Sequence, residues 1–150
     1  MKDIYDIGIV FRGFIIVNKI FKELPAQKDL DNKKDLRGAF ISAISSFAET
    51  AFTNNNLEYL ESGNILFIFK MSDIKSSDNN MKEPIILYGL VEKKKKNPDK
   101  IVKKFLIKGQ LILESFTQKY EGCDFTEISK FESFKEDLQD YFIKKQESII

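Results

Sequence analysis

Two short runs of this sequence are almost continuously apolar, and they restrict the fold more than any other feature. One run is Phe14–Phe21 (FIIVNKIF) and the other is Ile65–Phe69 (ILFIF). A strand that is exposed on one side shows polar residues at every second position, whereas a strand covered on both sides is apolar almost throughout. The sequence therefore predicts a β-sheet that has a covering layer on each face.

Turn signals separate the predicted strands. Gly13 and Gly63 each lie between two runs rich in branched and aromatic residues, which is typical of hairpins. Pro84 precedes the last run, and the polar residues Ser72–Glu83 before it predict a long mobile loop. The five predicted strands are Ile4–Phe11, Phe14–Phe21, Leu57–Leu60, Ile65–Phe69 and Ile85–Val91.

Three amphipathic helices are predicted from apolar residues at three- and four-residue spacing. The first is Asp35–Phe52, with Asp35 as its N-cap. The second begins with Asn97 as N-cap and Pro98 as first helical residue, and it ends at Gly122. Gly109 on its apolar face indicates a close approach to the sheet. The third runs from Thr126 to Phe142, with these residues on its apolar side: Ile128, Phe131, Phe134, Leu138, Tyr141 and Phe142.

The order of elements is strand, strand, helix, three strands, helix, helix. The absence of a repeat or a linker predicts one domain over residues 1–150. The fold class is α+β with three layers, α/β/α. We expect the helix at 35–52 to cover one face of the sheet and the two C-terminal helices to cover the other.

Composition argues against several classes of function. The chain has no His and a single cysteine, Cys123, so neither the commonest general base nor a cysteine-based zinc site is expected. Lys and Arg number 24 against 23 Asp and Glu, and this balance does not favour a nucleic-acid binder. No catalytic, metal-binding or cofactor-binding residues are predicted. The N-terminus does not resemble a signal peptide, and a cytoplasmic location is expected.

The chain resembles the longin domain, which belongs to the SNARE-like, or profilin-like, group of three-layer folds. The order β-β-α-β-β-β-α-α and three segments carry the resemblance: Gly8–Val17, Asp35–Ile44 and Asn64–Phe69. It implies a five-stranded antiparallel sheet of order 2-1-5-4-3, with one helix on one face and two on the other. Roadblock domains are related but begin with a helix. The Lys-, Ile- and Asn-rich composition would suit an AT-rich genome, for instance an archaeal one.

The resemblance also implies a function that is not enzymatic. Longin domains serve in vesicle trafficking and in complexes that regulate small GTPases. A stand-alone longin protein would be a subunit or platform that forms homo- or heterodimers and binds a small GTPase or another longin- or roadblock-type subunit. At most a peripheral membrane contact is expected, and no cofactor. The alternative is a profilin- or PAS-like sensor that holds a small ligand between sheet and helix.

Two surfaces are candidates for the partner. The first is the outer side of the helix at 35–52, where small polar residues let another chain approach: Arg37, Ser42, Ser45, Ser46 and Glu49. The second is the outer edge of Phe14–Phe21, where Lys19 lies; an edge strand offers backbone hydrogen bonds, although a lysine there can also protect the edge. The run Lys93–Lys96 is interpreted as a solvated turn, with contact to anionic lipid as the alternative.

Overall fold

A computed structural model describes residues 3–23 and 58–142 of the protein. In this part the fold is α+β, with an antiparallel sheet in the order β2-β1-β5-β4-β3. The predicted order is thereby confirmed. The helix predicted at 35–52 lies outside the described residues. The elements are β1 Ile4–Phe11, β2 Phe14–Ile20, β3 Tyr59–Ser62, β4 Ile65–Ile74, β5 Glu83–Glu92, α1 Asp99–Tyr120, a 3₁₀ turn Ile128–Phe131 and α2 Phe134–Phe142.

Both predicted hairpins are present. Phe11 pairs with Phe14 across the β1–β2 turn, and the two residues between them are left-handed, Arg12 with φ 52° and Gly13 with φ 79°. Two left-handed central residues are the conformation of a type I′ turn, which suits the twist of a hairpin. The β3–β4 turn has Gly63 at φ 58° as its first central residue. A glycine adopts this conformation without a steric penalty.

The pairing of β1 with β2 contains a bulge. Ile9 pairs with Val17 and Val10 pairs with Ile15, so Ile16 is an extra residue on the edge strand. Consecutive side chains of a regular strand point to opposite faces, but Ile16 and Val17 both pack into the core beneath the helices. The bulge therefore lets one edge strand contribute an additional side chain to that core.

The helices α1 and α2 pack on the same face of the sheet. Their buried side chains, among them Phe105, Phe116 and Phe134, form one cluster with alternate residues of the strands, such as Ile7 and Leu87. Gly109 lies on the buried side of α1, where an added Cβ would come within 2.9 Å of Leu87 Cδ2. The predicted close approach of this glycine to the sheet is confirmed.

The other face of the sheet carries a second apolar cluster. It consists of Tyr5, Val10, Phe69, Ile86, Tyr88 and Leu90, and Tyr88 has no exposed surface. Leu66 and Ile68 of β4 face the helices, while Phe69 belongs to the second cluster. In Ile65–Phe69 the continuous apolarity therefore corresponds to packing on both faces of the sheet, as predicted. For the edge run Phe14–Phe21 the prediction is wrong, because Phe14 is 73% and Ile20 48% exposed, and the buried pair Ile16 and Val17 lies on one face.

The loop predicted at Ser72–Glu83 is shorter than expected. β4 continues to Ile74 and β5 begins at Glu83, so Asp73 pairs with Pro84 and Ile74 pairs with Glu83. The prediction is wrong at both ends because the polar side chains obscured a continuing ladder of backbone hydrogen bonds. Ile74 is fully buried, which anchors this end of the hairpin.

The helix ends also differ from the predictions. Pro98, not Asn97, is the N-cap of α1, although Asn97 Oδ1 still accepts a hydrogen bond from the Asp99 N–H at 3.0 Å. The chain leaves the helix at Tyr120, and Gly122 is left-handed with φ 83°, as expected for a helix stop.

The last helix begins later than predicted. The Asp124 carboxylate accepts hydrogen bonds from the Thr126 N–H at 2.9 Å and from its hydroxyl at 2.6 Å. These bonds hold the pKa of the Asp124 carboxyl below its ordinary value. Such local bonding competes with helix formation, and only a 3₁₀ turn precedes α2. Ile128 in this turn is 51% exposed, so its predicted place on the apolar side is wrong.

Candidate interaction surfaces

Residues 3–23 and 58–142 contain no group of His, Cys, Asp and Glu side chains arranged to hold a metal ion. In the same ranges, every buried side-chain nitrogen or oxygen has a hydrogen-bond partner. The Glu61 carboxylate forms an ion pair with Lys93 Nζ at 2.7 Å.

The edge strand β2 is the predicted partner surface that falls within the described residues; Arg37, Ser42, Ser45, Ser46 and Glu49 lie outside them. Lys19 pairs with Ile7 and is half-buried on the helix side of the sheet. Two large apolar side chains at the ends of β2 are exposed, Phe14 by 73% and Ile20 by 48%. The two side chains lie at opposite ends of the strand, so they are separate exposed positions and do not form one apolar patch.

The backbone of β2 also offers hydrogen bonds. The Phe21 N–H donates to the Tyr5 carbonyl at 2.8 Å. Along an antiparallel pair, residues that are hydrogen-bonded to the neighbouring strand alternate with residues that are not. Because Phe21 is bonded to β1, the preceding residue, Ile20, directs its N–H and C=O away from β1. Within the described chain β2 pairs only with β1. The bulge at Ile16 interrupts the outer edge, which leaves the stretch from Val17 onward as the regular part.

Arg12 forms a network that the sequence did not reveal. Its guanidinium makes two hydrogen bonds with the Asp78 carboxylate, at 2.8 and 3.1 Å, and its Nε lies 3.0 Å from a Glu83 oxygen. Ser76 accepts a further bond from Arg12 and donates one to Asp78. The β1–β2 turn is thereby joined to the loop between β4 and β5.

The network accounts for the arginine in a left-handed conformation. Non-glycine residues adopt positive φ at a cost, and Asn or Gly is usual at this position of a type I′ turn. The bidentate contact to Asp78 and the bond to Glu83 offset that cost. An arginine where Asn or Gly is usual is the sequence signal from which the network could have been found. The hydrogen bonds from Arg12 and then Ser76 hold the pKa of the Asp78 carboxyl well below its ordinary range.

The lowered pKa predicts how stability changes in acid. A carboxylate whose pKa is lower in the folded state stabilises the protein above its unfolded value of about 3.9, and this contribution is lost as pH falls further. We expect the free energy of unfolding to fall less steeply below about pH 4 in Asp78→Asn than in the unmodified protein. Urea unfolding from pH 7 to pH 2 measures this, and the effect should be small because the pair is exposed.

Arg12→Gln supplies the control for this prediction. It removes the main cause of the lowered pKa, so it should flatten the pH dependence as well, and the double variant should add little to either change. If Asp78→Asn keeps the full slope below pH 4, the network does not operate in solution.

A second set of hydrogen-bonded polar side chains lies on the sheet face opposite α1 and α2. The Asp6 carboxylate accepts hydrogen bonds from the Tyr88 hydroxyl at 3.2 Å and from Asn18 Nδ2 at 3.3 Å. The Tyr88 ring passes over Gly8, where an added Cβ would be 2.5 Å from the ring. Gly8 therefore marks a close packing contact, and these bonds contribute to the pairing of the polar groups of Asp6 and Tyr88 beside an apolar cluster.

Two loops are joined at the end of α1. The Gly122 N–H donates to the Lys75 carbonyl at 2.7 Å, and the Ser77 N–H donates to the Cys123 carbonyl at 2.9 Å. Cys123 is half-buried beside this contact. Its backbone therefore has a structural role at this junction.

The lysine run after β5 is only partly paired. Lys93 and Lys94 form ion pairs with Glu61 and Asp3, at 2.7 and 2.8 Å, while Lys95 and Lys96 are exposed.

The helices within the described chain lack the combination of length and apolarity that crossing a bilayer requires. Comparison of the chain with protein-family models, curated proteins and solved structures gave no match.

Proposed function

We propose that this protein is a non-enzymatic protein–protein interaction module of the longin type. It acts as a subunit or platform for a small GTPase, or for another longin- or roadblock-type subunit, in a trafficking-type complex. The observation that carries the proposal is the sheet order β2-β1-β5-β4-β3, with α1 and α2 on one face. This is the arrangement that the resemblance implies.

The edge strand β2 supports the choice of a protein partner. Ile20 combines a 48% exposed side chain with backbone groups directed away from the sheet. A strand of a partner that pairs here would bury the side chain and satisfy the backbone groups at once, which is recognition by β-strand addition. Lys19 beside it would restrict the approach of positively charged partners.

The first test measures association directly. If the partner is a second copy, we expect light scattering after size-exclusion chromatography to give twice the 17.4 kDa mass of one chain. If the partner is a small GTPase, we expect the immobilised protein to retain purified small GTPases from the same genome. Ile20→Lys should weaken this association at least about tenfold, because it places a charge in a desolvated strand pair. Its own stability should change little, since the side chain is exposed.

Leu60→Lys is the matched control. Leu60 lies on the opposite edge strand, β3, and its pairing with Phe67 places it on the same sheet face as Ile20. It is 37% exposed. Loss of association in Leu60→Lys but not in Ile20→Lys would move the interface to β3. Two results together would support a ligand sensor instead. The protein would be a monomer that retains none of these partners, and its melting temperature would rise when a small metabolite is added.

A further inference from the structure

Lysines are concentrated in one short part of the chain. Residues 93–108 contain eight lysines and one aspartate, a formal charge of +7, whereas the whole chain carries +1 and the remainder therefore −6. This part covers the connection after β5 and the first half of α1. The balanced total charge thus hides a strong separation of charge along the molecule.

The structure places three of these lysines on the exposed side of α1. Val102, Phe105 and Gly109 mark the side that is buried against the sheet. Lys100, Lys103 and Lys104 are exposed on the opposite side. Together with the exposed Lys95 and Lys96 just before the helix, they form what we call the basic face.

The lysines of the basic face differ in their pairing from Lys93 and Lys94. Lys93 and Lys94 are held by ion pairs to Glu61 and Asp3. Among the residues that the structure describes, no ion pair engages a member of the basic face. An array of unpaired ammonium groups raises the local concentration of anions and attracts a surface of opposite charge.

An apolar side chain lies within this array. Ile107 is 66% exposed, and it follows Lys103 and Lys104 by four and three residues, which places the three side chains next to one another on the helix surface. Leu111, one turn further, is 39% exposed. Lysines around exposed aliphatic residues are typical of a helix that lies on a lipid surface.

We propose that the basic face and Ile107 dock this protein on an anionic lipid bilayer. The lysines contact the headgroups, and Ile107 enters the boundary between headgroups and acyl chains. Nucleic acid fits this surface less well, because residues 95–111, all of them described, contain no arginine and their one aromatic residue, Phe105, is fully buried. Single-stranded nucleic-acid sites use exposed aromatic rings or arginine to stack on bases.

Docking on lipid and binding at β2 do not exclude each other. α1 packs against β4 and β5, whereas β2 is the edge strand beyond β1. The two surfaces can therefore be occupied at once. Failure of the lipid experiment leaves the protein–protein proposal intact, and the reverse holds as well.

The test is sedimentation of the full chain with two kinds of vesicle. One kind is phosphatidylcholine alone, and the other also contains about 30% phosphatidylserine, roughly the anionic content of a cytoplasmic leaflet. We expect the protein to bind only the anionic vesicles. Binding should be lost in 1 M NaCl, where the interaction between charges is screened beyond a distance of about 3 Å. Each lysine near such a surface contributes about a fivefold change in partitioning, so Lys100→Gln with Lys104→Gln should weaken binding about 25-fold. Ile107→Ser should weaken it about tenfold and keep the salt dependence.

Lys75→Gln with Lys82→Gln is the matched control, because it removes the same charge from exposed positions outside the basic face. It should change partitioning less than about threefold. Equal losses in the two double variants would overturn the proposal, as would absence of binding to anionic vesicles at low salt. The proposal would also be overturned if the protein bound a single-stranded oligonucleotide, measured by fluorescence anisotropy, and did not bind the vesicles. Circular dichroism confirms that the variants remain folded.

Discussion

Replacing Gly89 by alanine is expected to destabilise the protein by about 3 kcal/mol, near the upper end of the usual cost of overpacking a core. Gly89 pairs with Ile7 and Ile68 in the centre of the sheet. An added Cβ would lie 2.2 Å from Phe105 Cε2, and Phe105 has no exposed surface. The ring cannot withdraw because it packs against Phe142, with the ring centroids 5.3 Å apart. For a chain of this length the melting temperature should fall by about 6–12 °C.

Two further variants show whether the ring is the cause. Phe105→Leu shortens the side chain above Gly89, so the double variant should lose at least about 1 kcal/mol less than the sum of the single changes. Gly109→Ala is the comparison on the helix. Its added Cβ would lie 2.9 Å from Leu87 Cδ2 and at ordinary contact distance, 3.7 Å, from Lys70 Cβ. A gain in helix propensity of about 1 kcal/mol opposes the close contact with Leu87. Additive losses for Gly89 and Phe105 would contradict the packing explanation.

Replacing Phe116 by alanine is expected to cost about 3–5 kcal/mol, the range for removing a buried aromatic side chain. Phe116 is fully buried on α1 and joins the helix to the segment that follows it. Its ring centroid lies 4.7 Å from that of Tyr120, 5.5 Å from Phe131 and 5.1 Å from Phe134. Such a loss is a large part of the stability of a typical domain. Urea unfolding followed by circular dichroism measures it.

Phe14→Ala is the matched control for this aromatic cluster, because the same side chain is 73% exposed on β2 and its removal should change stability by less than about 0.5 kcal/mol. Phe116→Leu keeps most of the volume and remains measurable if the alanine variant does not fold. Equal effects of the changes at Phe14 and Phe116 would show that the cluster does not act as the centre of the helical layer.

The sequence was sufficient to predict the presence of five strands because each strand has a local signal. The apolar runs predicted β1 and β2 to within one residue, and Gly13 and Gly63 lie at the turns where they were predicted. The longin resemblance then supplied the order of the strands, which composition and periodicity alone do not determine. The antiparallel arrangement is confirmed for the described chain.

Features that depend on contacts between distant residues were not predictable. The extension of β4 to Ile74 follows from its pairing with β5, not from its own polar composition. The Arg12 network joins residues more than sixty positions apart. Of the predicted interface residues, Lys19 is within the described chain, and its role there stays a prediction.

The bonds that join the β4–β5 loop to the end of α1 have a practical consequence for protein engineering. Lys75 and Ser77 are held by backbone bonds to Gly122 and Cys123, and Asp78 is held by Arg12. A fluorescent reporter or an affinity tag placed in this loop would disturb these bonds. The exposed turn at Gly63, where an added Cβ meets nothing within 4 Å, is the better site for an inserted label.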